Sequence, residues 1–172
     1  MEGNISVFIT EEKIKNRINE IAVTLNERYK NETVTLICTL KGAVIFAADL
    51  IRRLNMDVRL EFVAVSSYEG TDSTGKITMK YPLSEKMTDK NVLLVEDILD
   101  TGRTLHFLKE YLLEQKPKDL LILALLDKPD RRISDIQADI VGFTIPDKFV
   151  IGYGLDYDQR FRQLPYIGIY NP

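Results

Sequence analysis

Four short, nearly unbroken apolar runs, Val34 to Leu40, Leu60 to Val65, Val92 to Val95 and Leu120 to Leu126, are spaced along the chain with helical stretches between them. A strand that is apolar on both faces has no side to turn to water, so such runs belong inside a sheet covered above and below. Strands that alternate with helices build that sheet in parallel, which gives an α/β fold with a parallel core sheet flanked by helices. Ile14, Ile18, Ile21 and Leu25 recur at helical spacing behind Thr10, whose hydroxyl suits the helix start, with Glu11 and Glu12 at the positive end. Lys41-Gly42 opens a second helix through about Leu54, and a third runs from Thr104 to about Gln115. With 172 residues, 45% of them hydrophobic, the chain has material for one core, and residues 1–172 are expected to form a single domain.

Open α/β sheets bind ligands beyond the carboxyl ends of their strands, so the chemistry is sought there. Val92-Leu93-Leu94-Val95 runs straight into Glu96-Asp97, and Ile98-Leu99 then leads to Asp100-Thr101-Gly102-Arg103-Thr104. The last five residues combine a flexible glycine, two hydroxyls and a row of backbone N–H groups at a helix start, which together suit a phosphate. Carboxylates beside a phosphate cradle suggest a sugar phosphate, because they accept hydrogen bonds from ribose hydroxyls and can organise hydrated magnesium. Rival strand-end motifs fail: neither Gly-x-x-x-x-Gly-Lys nor Gly-x-Gly-x-x-Gly is present, and Asp97 and Asp100 are three apart where a haloacid-dehalogenase-type phosphatase needs two.

Charge and composition narrow the partners. Lys plus Arg number 23 and Asp plus Glu 26, a net charge of −3, so no basic excess drives nucleic-acid binding. The single cysteine, Cys38, lies in an apolar run and reads as a buried thiol. The start Met-Glu-Gly-Asn shows no leader pattern, and no apolar stretch approaches about 18 residues, so a cytoplasmic protein without a membrane partner is expected.

The segment 92–104 resembles the thirteen-residue signature of type I phosphoribosyltransferases, and from about Ile9 to Gly168 the chain resembles the hypoxanthine-guanine branch of that family. The resemblance implies the family's fold, with a small hood built from N- and C-terminal segments. It further implies transfer of the phosphoribosyl group of phosphoribosyl pyrophosphate to a 6-oxopurine in purine salvage, with Mg2+, by a homodimer or homotetramer. Asp100 then falls at the general base facing purine N7. Glu96 and Asp97 fall at the ribose and metal, and Thr101, Gly102, Arg103 and Thr104 at the 5′-phosphate. Leu40-Lys41-Gly42 resembles the pyrophosphate loop, whose Leu-Lys peptide can be cis, and Ser67-Tyr68 opens a stretch resembling the catalytic lid, within Ser66 to Lys76. Lys128 matches the base-recognition lysine, Phe149 the stacking aromatic, Val150 the backbone at the base edge, Asp156 a magnesium ligand and Arg162 a pyrophosphate contact. An ammonium donates and cannot accept, so Lys128 suits a 6-oxo and not a 6-amino purine.

Two departures from the family pattern, Ser66 and Arg103, fall at positions that tolerate variation. His106 is used by no motif and reads as a surface or structural residue. An RNA-binding pyrimidine-operon attenuator shares this fold, but in that family the position of Asp100 is not acidic. A catalytically dead binding module is disfavoured by the complete set of acids. The choice among hypoxanthine, guanine and xanthine stays open, as does dimer against tetramer.

Overall fold

The structure, a computed structural model, describes residues 4–67 and 77–171. In chain order its elements are β1 (Asn4–Ile9), α1 (Glu11–Arg28), β2 (Thr33–Thr39), α2 (Val44–Ile51), β3 (Asp57–Ser67), β4 (Ile77–Tyr81), β5 (Asn91–Leu99), α3 (Arg103–Leu113), β6 (Asp119–Asp127), β7 (Ile140–Thr144), β8 (Val150–Ile151) and β9 (Ile167–Asn171). Six strands form the main sheet in the order β4-β3-β2-β5-β6-β7, all neighbours parallel except the antiparallel edge pair β3–β4. A second sheet, β1-β9-β8, joins the two ends of the chain.

The four apolar runs are the four central strands, and the period of two along them decides which helix each residue meets. Val34, Leu36 and Cys38 of β2, with Leu93, Val95, Leu121 and Leu123, pack into one cluster with Ile14, Ile18, Ile21 and Leu25 of α1 and Phe46 and Leu50 of α2. The alternate residues Ile37, Leu94, Ile122 and Ala124 pack with Leu105, Leu108 and Leu112 of α3. Each fully buried Leu or Ile in these layers contributes about 1.5–3 kcal/mol. At the start of α1, Thr10 accepts a hydrogen bond from the Lys13 N–H at 3.3 Å.

Strand β5 does not end at Val95 as its apolar run suggested. Glu96, Ile98 and Leu99 stay in register with Ala124, Leu126 and Asp127 of β6, so the acid pair lies inside the strand. Likewise α2 starts at Val44 rather than at Lys41, leaving Leu40 to Ala43 as a free-standing turn at the strand's end. The expected mobile loop over Ser66 to Lys76 is in part strand, since Ser66 and Ser67 pair with Thr78 and Ile77; the rest lies outside the described residues, and Tyr68 with it. Cys38 is sealed in the core, where burial first, and then the charges of Glu96 and Asp97, push its thiol up to about 12. His106 is exposed on α3. Among the described residues no helix is long and apolar enough to cross a membrane.

Candidate active site

The carboxyl ends of β2, β5 and β6 bring three loops together. The first is Leu40-Lys41-Gly42, whose Leu40–Lys41 peptide is cis. A methyl group on Gly42 would fall on the Asp97 carboxylate, and one on Gly154, whose φ is +100°, would strike the Gly42 carbonyl. Glycine at both positions therefore lets the backbone of residues 40–42 lie against the Asp97 carboxylate on one side and the backbone of Gly154 on the other. The third of these segments is pinned from behind, since the buried Tyr153 donates its hydroxyl to Asp49 Oδ2 of α2 at 2.6 Å.

The two acids of β5 differ sharply. Glu96 is 7% exposed, and its Oε1 accepts from the Thr39 hydroxyl at 2.7 Å and the Asp97 N–H at 3.1 Å. Burial, and then the neighbouring Asp97 charge, hold its carboxyl well above the ordinary glutamate value. Its Oε2 makes no hydrogen bond among the described residues, and Glu96 lines a small cavity with Asp100, Thr101, Gly102 and Thr104. Asp97 accepts the Ile98 N–H at 3.0 Å and presents its other oxygen to Gly42. Asp156 is not gathered with these acids: among the described residues no group of three or more acidic, His or Cys side chains is placed to hold a metal.

That cavity is the floor of the cradle. Gly102, at φ +84°, is the N-cap of α3 and makes no side-chain cap, so the first N–H groups of the helix are left to a ligand. Arg103 is exposed, while Thr101 and Thr104 are half-buried. Behind the cradle lies a residue that the sequence reading missed. Arg132 donates through Nε to the Asp100 carbonyl at 3.0 Å, through Nη2 to the Leu99 carbonyl at 3.2 Å and through Nη1 to the Ile136 carbonyl at 2.7 Å, and it pairs with Asp127. The doubled arginine after Lys128-Pro129 was the available signal, because a guanidinium offers five donors in a rigid fork that can hold several carbonyls at once. Arg132→Lys keeps the charge and loses the fork. It is expected to cost about 1–2 kcal/mol of stability, read as a lower denaturant midpoint at unchanged slope. An unchanged midpoint would remove Arg132 as the strut of the cradle.

Asp100 and Lys128 stand next to each other at this end. The Lys128 N–H donates to the Leu99 carbonyl at 2.9 Å, which fixes the turn after β6 against the end of β5. Lys128 is 5% exposed, and among the described residues its nearest acid, Asp147, lies 3.8 Å from Nζ. Among the described residues Asp100 Oδ1 is buried without a hydrogen bond; Arg131 Nε lies 3.0 Å away but is not aimed at it, so the contact is ionic only. Phe149 is 52% exposed, edge-on to Tyr157 with ring centroids 5.8 Å apart, and Val150 beside it is buried in β8.

On the far side, Arg162 binds the Gly154 carbonyl through Nη1 at 2.7 Å and Asp156 Oδ1 through Nη2 at 2.8 Å. Lys41 Nζ and Arg162 Nη2 both reach Gln159 Oε1, at 3.2 and 3.3 Å. The two cations expected at the pyrophosphate thus converge, although they stand 121 positions apart in the chain. A larger cavity, about 400 Å3, opens at the opposite, amino end of the sheet beside Thr33, Lys90 and Lys118. Its lysines are already paired, Lys118 with Glu32 and Lys90 with Glu85, and it holds none of the groups described above.

The helix start at Gly102, the acids of the strand before it and the buried Lys128 on the next turn lie at one end of the sheet. Residues 9–158 match the family described as Phosphoribosyl transferase domain. A Staphylococcus epidermidis hypoxanthine-guanine phosphoribosyltransferase is 46% identical over 164 residues, covering 95% of this chain and 92% of that protein. Among solved structures, a Staphylococcus aureus hypoxanthine phosphoribosyltransferase superposes with a TM-score of 0.92 at 44% identity, covering 97% of this chain and 91% of that one. A Bacillus anthracis hypoxanthine-guanine phosphoribosyltransferase gives 0.91 at 43% identity, covering 96% and 99%. The chain belongs to the hypoxanthine-guanine phosphoribosyltransferase family.

Proposed function

We propose that this protein transfers the 5-phosphoribosyl group of phosphoribosyl pyrophosphate to N9 of hypoxanthine or guanine, giving IMP or GMP and pyrophosphate, with Mg2+ as its metal. The observation that carries this reading is the buried Lys128 ammonium, on the turn whose backbone is bonded to the end of β5 just before Asp100. A desolvated cation without a close counter-ion is costly unless a ligand supplies an acceptor, and the O6 of a 6-oxopurine is such an acceptor. Next to it, Asp100 would take up the proton at N7 as the base is attached, and Phe149 would stack on the ring.

Ribose and phosphates occupy the rest. Asp97, with the second oxygen of Glu96, would hold the ribose hydroxyls, and the N–H groups of residues 101–104 with the Thr101 and Thr104 hydroxyls the 5′-phosphate. Lys41 and Arg162 would offset the charge that builds on the leaving pyrophosphate, while the backbone of Leu40 and Gly42 lines its path. The donor set fits magnesium, which uses one or two carboxylates and keeps water and phosphate oxygens: Asp156 would supply one carboxylate, and Glu96 or Asp97, the latter packed against Gly42, another. When bound, the metal would neutralise pyrophosphate oxygens as the bond to ribose C1 breaks. Ser67 and Tyr68 would belong to a lid over this end of the sheet.

We place the whole chain in one domain with β1, β8 and β9 as its hood, acting in the cytoplasm as a homodimer or homotetramer, with no nucleic-acid or membrane partner. The test is a spectrophotometric assay with phosphoribosyl pyrophosphate, Mg2+ and each purine in turn. Hypoxanthine or guanine should turn over and adenine should not, and excess chelator should slow turnover at least about tenfold. Equal rates with adenine would overturn the 6-oxo reading, and full rates in chelator the metal.

A further inference from the structure

Gln159 is the side chain on which the two proposed pyrophosphate cations meet, since its Oε1 accepts from both Lys41 Nζ and Arg162 Nη2. Its own loop holds it there. Gln159 sits in the left-handed region at φ +62°, as do Asp158 at +50° and Phe161 at +77°, and the Gln159 N–H donates to Asp156 Oδ2 at 2.8 Å. Non-glycine residues take up such conformations at a cost of roughly 1 kcal/mol each, so three within four positions mark a loop whose shape its surroundings over-determine. The shape turns one amide oxygen toward an ammonium and a guanidinium together.

An acceptor that two cations share lies where a phosphate oxygen would lie. We infer that Gln159 is an intramolecular competitor for pyrophosphate: its amide oxygen holds Lys41 and Arg162 converged and has to yield when a phosphate oxygen takes that point. The inference rests on the reading that Lys41 and Arg162 receive the pyrophosphate. A neutral amide suits the role, because it accepts from the two cations without a formal charge to attract them, so a phosphate oxygen, which carries charge, displaces it. A carboxylate at the same place would not yield so readily. The competition lowers apparent affinity by the fraction of time that the cations are occupied.

The test is calorimetric titration of inorganic pyrophosphate into the full chain, with and without Mg2+, the fold of each variant being checked by its melting temperature. Gln159→Ala should bind pyrophosphate about threefold more tightly, and Gln159→Asn, one methylene too short to reach both cations, should move the same way. Gln159→Glu should bind at least about tenfold more weakly. Weaker or unchanged binding by the Ala and Asn variants would overturn the inference, as would undiminished binding by the Glu variant. Lys41→Ala and Arg162→Ala separate the two layers of the argument. If both bind pyrophosphate as the parent does, the pyrophosphate reading itself falls; if both weaken while the Gln159 variants stay at parental affinity, only the competition falls.

Discussion

Replacing Asp100 with Asn is expected to lower kcat by roughly 10²- to 10⁴-fold while leaving the melting temperature nearly unchanged. Asn keeps the shape and can still bond N7, but it cannot take up the proton. The other role open to an acid just before a helix is that of a cap, and the geometry excludes it: the N-cap of α3 is Gly102, with no side-chain cap bond. What holds Asp100 is its carbonyl, bound by Arg132, and that bond is indifferent to the side chain. The substitution does weaken the ion pair with Arg131, which is half exposed and worth little. Binding of phosphoribosyl pyrophosphate should survive, since the cradle N–H groups are untouched. Asp100→Ala should be at least as slow and should also weaken the purine complex. Near-normal turnover by the Asn variant would remove Asp100 from the mechanism.

Lys128→Ala should cost on the order of 2 kcal/mol or more in purine binding, about 30-fold in the dissociation constant, and almost nothing in affinity for phosphoribosyl pyrophosphate. The expected effect on stability has the opposite character. Nζ is desolvated and 3.8 Å from its nearest carboxylate, so truncation removes a buried charge whose pairing is poor, and the variant should melt at or above the parent temperature. A residue kept for folding would show the reverse pattern. Equilibrium binding of each substrate, read beside the melting curve, distinguishes the two, and equal losses for both substrates would make Lys128 structural.

The central strands were legible because burial on both faces writes itself as an unbroken apolar run. The edge strands were not, because β4 and β7 are short and half-buried, and β8 has two residues. Strand β1 is half exposed, so its apolar residues show no pattern against a turn. At the site, residues that make contacts through type and spacing could be read: the glycine that starts α3, the acid pair, and the lysine after β6. Gln159 could not, because its partners are distant cations, and Arg132 left only the doubled arginine as a trace, since most of its partners are backbone carbonyls. The extent of β5 escaped for a related reason. Glu96 looks like a strand terminus by composition, yet the Thr39 hydroxyl opposite it satisfies the carboxyl and lets the strand continue.

The meeting of residues 40–42 with the loop at 152–162 also sets when the site can exist. The bond between Lys41 and Gln159 spans 118 residues, whereas the parallel centre β2, β3, β5 and β6 is complete by Asp127. During synthesis a nascent chain can therefore assemble and cover its sheet while the half of the site proposed to receive pyrophosphate is still unmade. Contacts of such long range pay their loop-closure entropy last, so activity should appear only after the final β8–β9 hairpin has docked, later than most of the core.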